Sequence, residues 1–523
     1  MARDTTPSFI VELRLGTSSK DETYIEKGFN AGRILFNACL GEVLRRLDLM
    51  RESKAYRATL AMSKGAERTQ AFKDLRSKYD FKDSAIQSFA IQCKNSAPQI
   101  GQFLDAHTAQ KIATRAFHAC DRYVLGKSGR PRFKGVGQFH SLESKSNAAG
   151  IRYRDGWLMW GGVAVQCIID REDEVISHGL SCRIKYCRMV RRRIKDKAKY
   201  YAQLIVEGTP FVKKKNKPGK EVVGVDIGPS TIAYVGETKA ELVQFCAELG
   251  PIEQEIRVLQ REMDRSRRAS NAGNYTYDGT VKEGAKKWLY SKTYEALRAE
   301  LAELHRRKAG YRKSLHGKLQ NTILRLGSHL RIEKNSYKSF QKNFGRSIGT
   351  RAPGMFLTGL IRKAASAGGE VWDIPSSALK LSQLCKCGKL KKKALSERWH
   401  SCECGATAQR DLFSAFLARC AEKQGSEYIL DTSRVERLWC EVEPLMRQAV
   451  SRILEQSVSG GPLPASFGLK ALRQSGSPAN LMLRSGTGER TPVAVGDAVA
   501  SCSYRCSESP EKTAVTIRRT PSL

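Results

Sequence analysis

The stretch 384–418 constrains this chain more than any other. It opens with Cys385-Lys386-Cys387-Gly388, crosses a short basic hairpin, and closes with Cys402-Glu403-Cys404-Gly405. Gln409-Arg410-Asp411 then follows at the head of an apolar-striped segment. Two thiol pairs on glycine-ended turns can converge on one tetrahedral Zn²⁺, because thiolate ligands at about 2.3 Å need two short loops facing each other. His400, two residues before Cys402, leaves a mixed Cys/His ligand set open. A metal-stapled ribbon of this size fixes whatever comes next, and what comes next is the carboxylate of Asp411.

That carboxylate invites a search upstream for partners. Glu221-Val222-Val223-Gly224-Val225-Asp226-Ile227-Gly228 is a buried-strand pattern broken by one acid, followed by a second apolar run over 231–235. An unpaired buried carboxylate is costly, so Asp226 either caps the following turn or binds a metal. Further on, 329–333 alternates as a strand and ends in Glu333. In phosphodiester cleavage, two divalent ions about 3.5–4 Å apart activate a water and stabilise the leaving oxygen, held by a few converging carboxylates. Mg²⁺ suits such a site through its preference for oxygen ligands, with Mn²⁺ as an alternative. Asp226 is expected to bridge the two ions, with Glu333 and Asp411 holding one side each.

Charge points to the same class of substrate. The chain of 523 residues carries a net charge of +37, and its cations are spread along most of the sequence. Such a surface holds polyanions by counterion release, so DNA or RNA is the expected partner. No apolar run approaches the roughly 18 residues needed to cross a bilayer, and 1–5 lacks the apolar core of a secretory signal. A cytoplasmic, nucleoid-associated protein without membrane contact is expected. Its cysteines outside the ribbon, such as Cys39, Cys93, Cys167 and Cys246, then read as reduced, small core residues.

In chain order, a first half-buried strand (9–15) gives way to helical periodicity carried by Phe29, Ile34, Leu35, Ala38, Leu40, Val43, Leu44, Leu47 and Met50. Helical patterning resumes over 64–123. The segment Gly129 to Gly135 breaks it, setting Arg130, Arg132 and Lys134 around Phe133, the combination a single strand binds. Short alternating runs at 150–154, 157–160, 163–169, 180–186 and 200–206 predict a small β-barrel. Thus 1–20 and 126–212 are expected to form a wedge-like barrel with a helical lobe (21–125) inserted, and 213–220 a linker. A core over 221–383 follows, interrupted at 251–326 by two charged helical patterns. Arg261, Arg306, Arg307, Arg312 and Lys313, together with Arg410, are candidate phosphate contacts. Residues 334–346 read as a basic loop and 353–368 as a helix. The ribbon (384–405) precedes the end of the core (406–456), with a helix over 435–454. The remainder, 457–523, is rich in Gly, Ser, Pro and Arg without periodicity and is expected to be a disordered tail containing Cys502 and Cys506. The fold class is mixed α/β and α+β, in several domains.

Together Val225-Asp226-Ile227-Gly228, the strand ending in Glu333, the paired Cys-x-Cys-Gly turns and Gln409-Arg410-Asp411 resemble the RuvC-type nuclease pattern of the TnpB family, the transposon-encoded relatives of type V CRISPR effectors. Blocks at 37–42, 311–317, 340–345, 351–356 and 380–383 are similar to one branch of that family. The resemblance implies an RNase H-like core with a zinc-ribbon insertion, behind a wedge-like barrel carrying a helical recognition lobe. It implies RNA-guided cleavage of double-stranded DNA beside a short motif, with single strands exposed on the way, using a noncoding guide RNA from the transposon end. One departure stands out: many relatives space their cysteines as Cys-x-x-Cys. An RNA-guided binder without cleavage and a strand-transferring transposase are the alternatives to be set against a nuclease.

Overall fold

The computed structural model describes residues 6–195, 197–284, 286–394, 396–460, 465–469 and 514–515, and the chain divides into two compact units after Lys213. In the first unit, β1 (Ser8–Gly16) leads into the long helix α1 (Ser19–Glu52). Ser18 starts that helix with a capping box: its hydroxyl accepts from the Asp21 amide while the Ser18 amide donates to the Asp21 carboxylate. Phe29, Leu35, Phe36, Leu40, Val43, Leu47 and Met50 are buried along one side. Ile34, expected on that face, is instead exposed and Phe36 takes its place. Five further helices complete the lobe: α2 (Lys54–Ala61), α3 (Ala66–Lys78), α4 (Asp83–Ser96), α5 (Pro98–Gly101) and α6 (Ala106–Val124).

The chain then returns to β structure through β2 (Ser141–Glu143), β3 (Arg152–Arg154), β4 (Trp157–Trp160) and β5 (Val163–Ile168), the helix α7 (Glu174–Ser181), and the hairpin β6 (Ile184–Ile194) and β7 (Lys197–Glu207). The seven strands form one antiparallel sheet in the order β2-β6-β7-β1-β5-β4-β3. Asn147 ties its two edges together: the side chain pairs with the Tyr153 backbone on β3 and accepts from the Cys187 thiol on β6. Residues 180–186 were expected as a strand but are divided between α7 and the start of β6. Asp173 caps α7, which sets its apolar residues on a helical period. Against this sheet α1 lies very close. A Cβ on Gly28 would fall 1.9 Å from the Trp160 ring, so glycine is what allows the approach.

The second unit opens on a short turn (Lys214–Asn216), after which Gly219 and Glu221 donate backbone hydrogen bonds to Leu324 and Leu326. The expected linker is therefore anchored. Three strands follow, β8 (Val222–Ile227), β9 (Thr231–Val235) and β10 (Ala240–Gln244), then helices α8 (Gly250–Ser270) and α9 (Lys292–Leu326). These helices pack through Ile256, Leu259 and Leu304. Strand β11 (His329–Lys334), helices α10 (Tyr337–Arg351) and α11 (Pro353–Ser366), and β12 (Val371–Pro375) complete a five-stranded sheet in the order β10-β9-β8-β11-β12. The β8–β11–β12 part is parallel and the β8–β9–β10 part antiparallel. Residues 337–346, expected as a loop, belong to α10, which Ser336 caps.

Beyond α12 (Ser376–Leu379) comes the ribbon hairpin β13 (Trp399–Ser401) and β14 (Thr407–Gln409), then α13 (Arg410–Cys420), β15 (Glu422–Gln424), β16 (Glu427–Asp431), α14 (Thr432–Gly460) and a short strand β17 (Ala514–Val515). The two faces of the five-stranded sheet are covered differently. Val223, Val225, Ile227, Leu330 and Ile332 point into a core shared with α9 and α11. The opposite core is built on α13 and on α14, whose Val435, Trp439, Val442, Met446 and Val450 recur at helical spacing. Part of the expected tail belongs to it: Phe467 and Leu469 are buried there, and the Trp399 indole donates to the Gly468 carbonyl. Other tail residues, including Cys502 and Cys506, lie outside the described residues. Cys39, Cys167 and Cys246 are buried, and burial pushes each thiol up to about 12; Cys93 is half-buried. No helix among the described residues is long and apolar enough to cross a membrane.

Candidate active site and its zinc ribbon

The alternation of β8 decides the site. Val223, Val225 and Ile227 face one core, so Gly224 and Asp226 face the other side, where α13 lies. A Cβ at Gly224 would stand 1.9 Å from the Ala415 carbonyl oxygen and 2.6 Å from the Arg419 amide, so bare backbone lets helix and strand touch. Asp411, Ala415 and Arg419 recur at i, i+4 and i+8 on that helix face. Two residues along β8 advance about 6.6 Å, and one helical turn covers about 5.4 Å. Moving from Gly224 to Asp226 therefore matches moving from Ala415 back to Asp411.

Glu333 joins by register. The parallel pairing of β8 and β11 runs from His329↔Val222 to Ile332↔Val225, and one residue further Glu333 stands level with Asp226. Leu330 and Ile332 occupy the α9 side, leaving Arg331 and Glu333 on the α13 side. Arg331 donates to the Arg419 carbonyl at the end of α13, 2.5 Å away, while Glu333 lies towards its beginning. The Asn335 amide reaches the Ile227 carbonyl at 3.5 Å, linking the two strand ends.

The electrostatics follow from this convergence. The Asp226 carboxyl is held well above the usual carboxylate range, by burial first, then by Asp411 and Glu333, with Arg410 and Arg398 pulling the other way. Burial pushes Glu333 up to about 7. Asp411, 8% exposed, is the carboxylate with polar company. The Thr231 hydroxyl donates to it at 3.1 Å, and Arg410 and Arg398 stand 3.7 Å and 4.0 Å away. Two acids forced toward their neutral forms beside a third are what a bound divalent cation would relieve, and all the donors are carboxylate oxygens, as Mg²⁺ or Mn²⁺ requires.

Gln409-Arg410-Asp411 also has a local logic. Gln409 is the N-cap of α13, its side-chain oxygen accepting from the amides of Asp411 and Leu412 at 2.8 and 2.9 Å. Arg410 donates to the carbonyls of Ala394 and Glu397 and lies largely inside. It ties the ribbon loop to the helix through one guanidinium nitrogen. Arg312 is likewise committed to the carbonyls of Gly349 and Thr350 at the end of α10. Arg306 pairs with Glu303 one turn back. Arg261, Arg307 and Lys313 are exposed, as are Arg130 and Arg132, whereas Lys134 is half-buried. Sequence reasoning missed Thr231 and Arg398, since neither lies in a motif; they join the site only because β9 and the ribbon fold back onto it.

In the ribbon, the four cysteine sulfurs lie within 4.8 Å of one another. Cys385 and Cys404 are 3.5 Å apart and Cys387 and Cys402 3.8 Å, close to the edge of about 3.8 Å of a tetrahedron with arms near 2.3 Å. The two turns are copies of each other. The Gly388 and Gly405 amides donate back to Cys385 and Cys402, with φ of 82° at both glycines. His400 stands behind the sulfurs: Lys393 donates to its Nδ1, leaving Nε2 to donate to the Cys385 sulfur at 3.2 Å. Burial and the cations Lys393 and Lys391 lower its pKa to about 4, so the ring is neutral. Its other contact is a 4.1 Å stack on Phe413, two residues after Asp411. The cluster thereby grips the start of α13.

No family model matches this chain, and no curated protein does. Solved structures similar to it include a cryo-EM structure of the Cas12f1–sgRNA–target DNA complex, at 12% identity over 79% of this chain and 98% of that one, with a TM-score of 0.39. A cryo-EM structure of a CRISPR-Cas12f ternary complex is similar at 12% identity over 78% of this chain and 98% of that one, with a TM-score of 0.26. At these values the similarity says nothing of activity.

Proposed function

We propose that the chain is an RNA-guided, divalent-metal-dependent DNA endonuclease of the TnpB type, with an RNase H-like core carrying Asp226, Glu333 and Asp411 as its active site. The observation that carries the proposal is the register that sets Glu333 level with Asp226 on the parallel strands β8 and β11, with Asp411 near enough to help raise the Asp226 carboxyl. The sheet order β10-β9-β8-β11-β12, with one antiparallel hairpin beside parallel strands, supports an RNase H-like reading. The motif resemblance and the net charge of +37 support a guide RNA and target DNA as partners.

In this reading the three carboxylates hold the divalent ions, and Cys385, Cys387, Cys402 and Cys404 hold a structural Zn²⁺. Divalent ions, when held there, would supply an activated water and a stabilised leaving oxygen. Thr231 orients Asp411 through its hydroxyl, and Arg398, half-buried beside it, adds positive charge for the approaching phosphate. The ribbon keeps α13 seated so that Asp411 stays opposite Asp226. Purified protein bearing RNA from its own locus should cut a matched target in Mg²⁺, and Asp226→Ala should lose that cutting by at least about a thousandfold. Equal cutting by both proteins would remove the assignment. Target binding by the wild type without any cleavage in Mg²⁺ or Mn²⁺ would favour a guided binder, and joining of element ends a transposase.

A further inference from the structure

The first unit carries a cavity of about 550 Å³ between α1, α6 and the segment that leads into β2. Phe36, Arg115, His118, Arg122, Lys134 and His140 line it, and no carboxylate does. Its walls are built. The Asn37 side chain both accepts from the Lys134 amide at 2.8 Å and donates to the Lys134 carbonyl at 2.9 Å. Arg115 donates to the Ser141 carbonyl at 2.7 Å and lies over the Phe139 ring at 4.8 Å. Arg122 is exposed and has no side-chain partner among the described residues. Beside the pocket, the Phe133 ring rests on α1 at Gly41, where an added Cβ would meet it at 3.9 Å. The ring is still 58% exposed, so it offers an aromatic surface to solvent.

A positive cavity of this volume admits a phosphate with its sugar and base, and falls within the range of small-molecule sites. A duplex presents its phosphates on a convex surface and cannot enter. An open aromatic next to cations is how single strands are held without regard to sequence. We propose that this pocket holds one unstacked nucleotide of a single strand, its phosphate against Arg122 and Lys134 and a neighbouring base on the outer face of Phe133. This rests on the nucleic-acid half of the proposed function and is independent of the carboxylates. RNA and DNA share the chemistry, and the test separates them.

Full-length protein would be titrated, by fluorescence anisotropy, into a short labelled oligouridine, the matching oligothymidine and a duplex of equal length. Arg122→Glu and Phe133→Ala, both at exposed positions, should each weaken single-strand binding about tenfold, with duplex binding little changed by Phe133→Ala. Arg14→Glu, the same charge change at an exposed residue of β1, should stay within about twofold of wild type. A larger loss with oligouridine than with oligothymidine identifies RNA as the occupant, and the reverse identifies DNA. Single-strand binding that the pocket variants leave at the Arg14→Glu level overturns the pocket alone. A wild-type protein that binds no nucleic acid overturns both the pocket and the guided reading.

Discussion

Among single residues, Glu333 and Asp226 set the chemistry and also carry a cost. A glutamate whose carboxyl titrates at about 7 when folded, against 4.5 ordinarily, takes up a proton on folding between those pH values. Stability then falls as pH rises through that window, by roughly 3 kcal/mol for this group alone at 1.36 kcal/mol per unit. In Mg²⁺-free buffer the thermal midpoint should therefore drop from about pH 4.5 to about pH 7, and added Mg²⁺ should cancel the drop because the ions bind the deprotonated site. Glu333→Gln should make the Mg²⁺-free fall shallower, the raised Asp226 carboxyl keeping part of it; a profile identical to wild type would contradict the assignment of this carboxyl. In the sequence, Asp226 stands out because it interrupts an apolar strand, whereas Glu333 at a strand end and Asp411 at a helix head gain meaning only when set beside it. Thr231 and Arg398 were not legible, because their role depends on pairing between β8 and β9 and on where a loop comes to rest. For Arg410 and Arg312 the formal charge likewise does not disclose that one guanidinium nitrogen of each donates to backbone carbonyls.

For secondary-structure elements, the central contact is α13 on β8, and Gly224 is its hinge pin. Gly224→Ala would thrust a methyl into the Ala415 carbonyl and lift the helix. We expect a loss of about 3 kcal/mol in stability, measurable by denaturant unfolding, and a fall in cleavage of roughly a hundredfold as Asp411 moves away from Asp226. Unchanged values in both assays would mean that helix and strand are not locked in this way. The ribbon carries its own expectation: elemental analysis should find one zinc per chain. Cys385→Ser should lose it, whereas His400→Ala should keep it with an affinity lower by about 10–100-fold, since the imidazole only donates to a ligand. Full zinc loss in His400→Ala would make the histidine a ligand instead. Sequence periodicity located most of these elements. It failed at 180–186, where a capping Asp173 starts a helix inside an alternating run, and at 337–346, where basic and aromatic residues concealed a helix capped by Ser336.

At the level of the whole chain, the division after Lys213 falls at the run 213–217, four lysines and an asparagine, just before an abrupt apolar strand. The mixed, multidomain class was legible as well, because strands and helices alternate with distinct periods on either side of that run. What periodicity leaves out is which strands become neighbours. The return of β11 to the side of β8 after α8 and α9, and the packing of α13 on β8, bring residues 107 and 185 positions away from Asp226 towards it. The most direct test of the account is the anomalous scattering of Mn²⁺ in crystals of the full chain. Two manganese peaks about 3.5–4 Å apart, ligated by Asp226, Glu333 and Asp411, are expected, and no such peaks in Asp226→Asn. Manganese bound elsewhere, with the three carboxylates empty at saturating Mn²⁺, would contradict it.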